Sequence, residues 1–193
     1  MKKLDRADLM SLEQYAEQRN DFRARVMAHK QNRKIHIGPN ATLYFEDRLT
    51  MQYQVQEMLR IEKIFEADGI AEELEAYNPL IPDGANWKAT FMIEFPDETE
   101  RKAWLAKLIG IEKKTWVQVD GFDKVYPVTN EDLERETEDK TSSVHFMRFE
   151  LTPDMVVSAR DGAGLKMGIE HPEYSYEIEV SEASRASLVA DLG

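Results

Sequence analysis

Lys34-Ile35-His36-Ile37-Gly38-Pro39-Asn40-Ala41-Thr42-Leu43-Tyr44-Phe45-Glu46 is the stretch on which the fold class turns. Ile35 and Ile37 alternate with Lys34 and His36, and Leu43 and Phe45 alternate with Thr42, Tyr44 and Glu46. A period of two puts one face of an extended chain into a core, and Gly38-Pro39-Asn40 between the two runs is turn chemistry, so the segment reads as a β-hairpin. Outward from it the period becomes helical. Ser11 is an N-cap for Leu12, Tyr15, Phe22 and Val26, which fit one long helix running to about Asn32. Thr50 can cap a second helix through Phe65, and a shorter helix is expected over Ile70 to Tyr77, after an Asp68-Gly69 break.

Residues Pro79 to Trp87 carry two prolines and Asp83-Gly84 and are the best boundary candidate. Beyond them a strand is expected over Ala89 to Phe95 and a helix over Asp97 to Leu108, closed by Gly110. A second hairpin would pair Thr115 to Val119 with Lys124 to Val128 across Asp120-Gly121, and the acidic stretch Asn130 to Lys140 reads as a loop. Strand patterns return at Val144 to Leu151, Leu165 to Glu170 and Tyr174 to Val180, with short helices near Pro153 to Ala159 and Glu182 to Leu192. The fold class is therefore α+β: long N-terminal helices flank a hairpin, and a mostly antiparallel sheet with short helices follows. A helical region over 1–85 and an α+β region over 86–193, or one continuous domain, are both compatible with 193 residues.

Composition removes several function classes. No cysteine is present, so the chain offers no thiolate nucleophile, no disulfide and no cysteine-held zinc or iron–sulfur cluster. No apolar run approaches the length of a membrane span and the start lacks a signal-peptide core, so a cytoplasmic location without membrane contact is expected. The net charge of -12 argues against nucleic acid. Residues 1–50 alone hold ten basic against seven acidic side chains, with a basic run from Arg19 to Lys34 that reads first as a solvated helix face.

Two helices carry charge where apolar residues belong. At about 100° per residue, Arg19 and Arg23 fall within the apolar arc of the first helix, and Glu62 falls near the centre of the arc Met51, Val55, Met58, Leu59, Ile61 and Phe65 on the second. Buried charge is stable only when paired, so an Arg19 and Arg23 to Glu62 network between the helices is expected. Such a network can simply fix helix register. Alternatively, Arg19, Arg23, Gln56, Glu57, Arg60 and Glu62 form an anion site, since planar guanidinium forks suit carboxylate and phosphate. The imidazoles, His29, His36, His145 and His171, make no His-x-x-x-His or Glu-x-x-His pair. No metal or other cofactor is assigned, a set of His29, Glu46 and Glu62 being the weaker alternative. Asp161-Gly162-Ala163-Gly164 is a turn rather than a phosphate loop. His145 shares a strand face with Met147 and Phe149 and reads as a core histidine.

The stretches Gly38-Pro39-Asn40-Ala41-Thr42-Leu43-Tyr44-Phe45-Glu46, Tyr53-Gln54-Val55-Gln56-Glu57-Met58-Leu59-Arg60-Ile61-Glu62 and Tyr77-Asn78-Pro79-Leu80-Ile81-Pro82-Asp83-Gly84 resemble an uncharacterised bacterial family of unknown function, of the DUF3501 type. The likeness continues through Met92-Ile93-Glu94, Val144-His145-Phe146-Met147-Arg148-Phe149 and Ala190-Asp191-Leu192 and spans nearly the whole chain. The resemblance implies no activity and no catalytic residue. Genes of that family often neighbour those of rubrerythrin-like and iron–sulfur oxidoreductase proteins, which implies an accessory role in redox or peroxide metabolism. The expectation is an accessory or interaction protein that pairs with itself or binds an oxidoreductase or rubrerythrin-like partner. The competing expectation is an enzyme or sensor that holds a small anion through its inward arginines.

Overall fold

Ser11 starts the first helix as its chemistry dictates: its hydroxyl accepts the N–H of Gln14 while the Gln14 side chain accepts the N–H of Ser11. Helix α1 (Leu12–Gln31) buries Tyr15, Phe22 and Val26 and leads into the expected hairpin, β1 (Lys34–His36) and β2 (Ala41–Glu46), with Ile35 opposite Leu43. Gly38 turns the hairpin at φ +71, and a Cβ there would sit 2.6 Å from the Tyr174 hydroxyl, so the turn needs glycine for both conformation and space. The computed structural model describes residues 1–193 and contains six α-helices and two antiparallel sheets, an α+β architecture.

Helix α2 (Arg48–Ile61) departs from the expected limits at both ends. Asp47, three residues before Thr50, is the cap, because its carboxylate accepts the Thr50 N–H while the Thr50 hydroxyl accepts the N–H of Asp47. The helix stops at Ile61, where Lys63 takes a left-handed φ of 55. Asp68-Gly69 is not the break: both lie in the first turn of α3 (Ala67–Tyr77), where an acidic side chain suits the helix dipole. A Cβ on Gly69 would approach Ile64 to 2.8 Å, so this glycine serves close packing.

The five-stranded sheet runs β1-β2-β3-β6-β5, with β3 (Asn86–Ile93), β5 (Val128–Thr129) and β6 (Val144–Glu150). It therefore draws strands from both sides of residue 85. Helix α4 (Glu98–Lys107) follows β3, and β4 (Thr115–Val119) joins β7 (Leu165–His171) and β8 (Tyr174–Glu179) in a second sheet. The expected hairpin at Asp120-Gly121 is reduced to a bridge between Val117 and Val125, because β4 pairs along its length with β7. Helices α5 (Pro153–Arg160) and α6 (Glu182–Val189) stand where their patterns place them. One core of 26 buried residues lies between the inner faces of the two sheets and these two helices, while α1, α2 and α3 form a layer with smaller cores of their own. No helix is long and apolar enough to cross a membrane.

A buried arginine ties these layers together. Arg33, only 1% exposed, leaves the end of α1 and donates to the carbonyls of Phe45 (3.1 Å), Glu46 (3.2 Å) and Ser187 (3.0 Å). The same guanidinium donates to Asp191 at 2.5 Å and lies 3.6 Å from Asp47, whose carboxylate also meets His29 Nε2 at 2.5 Å. Burial opposes ionisation of Asp47, but Arg33, the Thr50 N–H and His29 hold it below the usual carboxylate range. Burial lifts Asp191 to about 6 against the pull of Arg33. Two carboxylates thus share one guanidinium unequally.

Replacing Arg33 with Met should cost about 3–5 kcal/mol in urea denaturation, because it leaves the buried Asp191 carboxylate without its cation, takes the guanidinium from beside Asp47 and strips a donor from three carbonyls. Asp191→Asn keeps an acceptor for Arg33 and should cost about 1–2 kcal/mol. A cost for Arg33→Met below about 1 kcal/mol would show that the layers are held by apolar packing alone.

Candidate functional site

Tyr15 and Arg19, one helical turn apart on α1, face Glu57 on α2. Arg19 grips the carboxylate with two parallel bonds, Nε to Oε1 at 2.7 Å and Nη2 to Oε2 at 2.9 Å, and the Tyr15 hydroxyl donates to Oε1 at 2.7 Å. Arg60, one turn further along α2, adds a bond to Oε2 at 3.1 Å. The Glu57 side chain is 13% exposed. The bond from Arg19, helped by those from Tyr15 and Arg60 and opposed by burial, lowers its pKa to about 2. Burial and the same carboxylate push the Tyr15 phenol upward, so it is a fixed donor rather than a base.

Of the six residues expected at a site, the structure brings together Arg19, Glu57 and Arg60. Gln56 is buried one residue away and faces elsewhere: its side chain accepts the Met10 N–H at 2.6 Å, pinning the N-terminal segment to α2. Arg23 is exposed, and Glu62 is the exposed C-cap of α2. The expected pairing of Arg19 and Arg23 with Glu62 is therefore replaced by an Arg19–Glu57–Arg60 cluster. The reason is the end of the helix: Glu62 is its C-cap, its N–H still bonded to Met58, and the chain turns away at Lys63, so Glu62 stands in solvent rather than under α1.

The set His29, Glu46 and Glu62 is not assembled either. Glu46 accepts hydroxyl donors from Thr50 at 2.7 Å and Thr90 at 2.9 Å near the start of α2, and His29 meets Asp47 there. Glu62 lies beyond the last residue of this helix, about 20 Å along its axis. No group of three or more His, Asp or Glu side chains is placed to hold a metal ion. His145 is the buried core histidine expected, bonded to Thr141 at 2.9 Å and to the Ser142 carbonyl at 3.0 Å, and burial lowers its pKa to about 4.

A cleft of about 500 Å³ lies on the outer face of the five-stranded sheet. Tyr77, Pro79 and Leu80 form one wall, Glu131 and Asp132 the other, and Lys88, Phe146 and Arg148 the floor. Its cations are already engaged. Arg148 forks onto Glu131 at 2.9 and 2.7 Å and also pairs with Glu150, while Lys88 donates to the Pro79 carbonyl. The floor continues as open sheet. Thr90 opposes both Tyr44 and Phe146, Met92 opposes Thr42 and Val144, and these outer-face apolar side chains are only partly buried. At its far end His36, Thr42, Glu94 and Tyr44 form a polar chain with links of 3.0, 2.9 and 3.4 Å. Sequence reasoning assigned His145, Met147 and Phe149 to the core and passed over their alternates. The available signal was Phe146, an aromatic residue on the polar phase of its strand.

A family model described as "Protein of unknown function (DUF3501)" matches residues 3–192. The crystal structure of a novel protein of unknown function from Burkholderia pseudomallei K96243 is 48% identical, with a TM-score of 0.94 over 100% of both chains. No curated protein matches the chain.

The Glu57 cluster has a defined acid signature. A carboxylate whose folded pKa is depressed stabilises the fold fully above its unfolded value, near 4.5, and loses that contribution as pH falls toward about 2. His145 acts in a higher window: with its folded pKa near 4, the unfolded chain binds the extra proton as pH drops below about 6.5. Denaturation of Glu57→Gln as a function of pH should therefore show less stability than wild type at neutral pH, with the difference closing below pH 4.5. A difference that stays constant down to pH 2 would remove Glu57 as an ionised partner.

Proposed function

The chain belongs to the DUF3501 family, whose description assigns it no chemistry, and from its surface we propose that it is an accessory protein that binds a partner through the outer face of the five-stranded sheet. One observation carries the reading: Tyr44, Met92, Val144 and Phe146 line a continuous, partly exposed sheet face, with the cleft at Tyr77 and Leu80 at one end. Antiparallel sheets commonly solvate one face, but that face is then polar. Partly exposed apolar side chains on the solvent side of a sheet, here with Lys34 over Tyr44 and Arg135 over Phe146, are a feature of interaction sites. Within the cleft Arg148 is neutralised by Glu131 and Glu150 and the Lys88 ammonium donates to the Pro79 carbonyl, which leaves apolar contact as the main chemistry on offer. That the partner is an oxidoreductase or a rubrerythrin-like protein rests on the gene neighbourhood of the family.

A second reading keeps the arginines. Arg19 and Arg60 share the single carboxylate of Glu57, which leaves one positive charge in excess at the edge of the α1–α2 interface. A small carboxylate or phosphate would be held there, as in an anion sensor.

Recovery of the tagged chain from its own cells, followed by native mass spectrometry, separates the two. The expected result is a second polypeptide in whole-number ratio that bears iron or flavin, held by wild type and lost in both Phe146→Glu and Met92→Lys. Retention of the same polypeptide by both variants would overturn the docking face. A stoichiometric small anion on the lone chain, lost in Arg60→Ala, would favour the second reading.

A further inference from the structure

The tip of the helical layer carries a different apolar surface, away from the sheet. Between the N-terminal segment, the start of α1 and the α2–α3 turn lies a groove of about 520 Å³, lined by Leu9, Leu12, Leu59, Ile64 and Ile70. On its lip stand Phe65, 67% exposed and the most exposed large apolar side chain of the protein, and nearby Ile61, 56% exposed. The turn that presents them is conformationally costly, because Lys63 holds a left-handed φ of 55 without being glycine. A knob and a hole of matching character thus lie side by side on one patch.

The charges around the patch have both signs and no partners. Arg6 and Glu13 flank the groove on the side of the N-terminal segment, and Glu62, Lys63 and Glu66 lie on the side of the turn. None takes part in an ion pair within the chain, whereas the nearby Arg19, Glu57, Arg60, Arg48 and Asp8 all do. A two-fold axis at the patch places the turn of one copy against the N-terminal side of the other. In that arrangement Lys63 would meet Glu13, Arg6 would meet Glu62 and Glu66, and each Phe65 would enter the groove of the opposite copy. Such a contact uses the same patch twice and therefore closes as a dimer rather than extending into a filament.

We propose that the chain forms a two-fold homodimer through this groove, with Phe65 as the reciprocal anchor. An aromatic side chain entering a desolvated pocket near the centre of a contact is the kind of residue that dominates binding energy. The occupant is a second copy because the knob, the hole and both signs of charge come from one surface; a foreign partner would need to supply only the complement of one of them. The sheet face remains free in this dimer.

Sedimentation velocity on the full chain tests the proposal. Wild type should sediment as a dimer at about 10 µM, and Phe65→Glu and Ile61→Glu should each weaken the association by about 100-fold or more. Both positions are solvent-exposed in the single chain, so circular dichroism should not change, and the melting temperature should fall only by the concentration-dependent stabilisation that the dimer supplies. Val157→Glu, which alters an equally exposed apolar side chain on α5, should leave the dimer intact. Charge reversal at Lys63 to Glu should weaken the dimer, and Glu13→Lys in the same chain should restore it. A wild-type chain that stays monomeric at about 100 µM overturns the proposal, as does a dimer indifferent to both Phe65→Glu and Ile61→Glu.

Discussion

A guanidinium without access to water must have its donors met, and Arg33 meets them with groups from two distant stretches of the chain, residues 45–47 and 187–191. The Phe45 and Glu46 carbonyls belong to the end of the hairpin, Asp47 begins α2, and Ser187 and Asp191 belong to α6 and the residues after it. A lysine could not replace it, because its three donors radiate from one point and do not match a planar fork of carbonyls and carboxylates. The helical layer, the sheet and the last helix are consequently set in one geometry by a single side chain. Trp87 reinforces the arrangement from the sheet side, its indole N–H donating to the Leu188 carbonyl at 2.9 Å.

The same economy governs the rest of the charge. Arg19 is taken up by Glu57, Arg148 by Glu131 and Glu150, and Lys88 by a carbonyl, so the inward cations serve chiefly to hold elements in register. What the fold leaves partly open to solvent and apolar is one face of an antiparallel sheet and the tip of a helical layer. Against a net charge of -12, the two surfaces proposed above for recognition stand out as the apolar exceptions.

Elements with a local signal were legible in the sequence. Ser11, the alternation around Gly38, Gly110 after α4 and the strand patterns of β6, β7 and β8 all correspond to what the chain forms, because capping, period and turn chemistry act over a few residues. The errors arose where tertiary contact decides. Gly69 looks like a breaker, yet it lies within a helix because Ile64 needs the space. Arg19 was correctly placed inward, but its partner depended on where α2 ends, and Lys63 in a left-handed conformation is not a residue type that announces an ending. Arg33 reads with its basic run as part of a solvated helix face, whereas it is buried. It sits at a helix-to-strand junction where neither period applies, and its carboxylate partner lies 158 residues away.

That separation has a consequence for the order in which the protein can be built. The hairpin and the first helices leave the ribosome long before Asp191, and at about 5–20 residues per second the interval is on the order of ten seconds. Throughout it Arg33 has carbonyls within reach but neither Ser187 nor Asp191, and for most of it the sheet lacks β6 alongside β3. The nascent helical layer must remain hydrated and pliable at its base, so final consolidation is a late, chain-wide event rather than a sequence of independently completed halves.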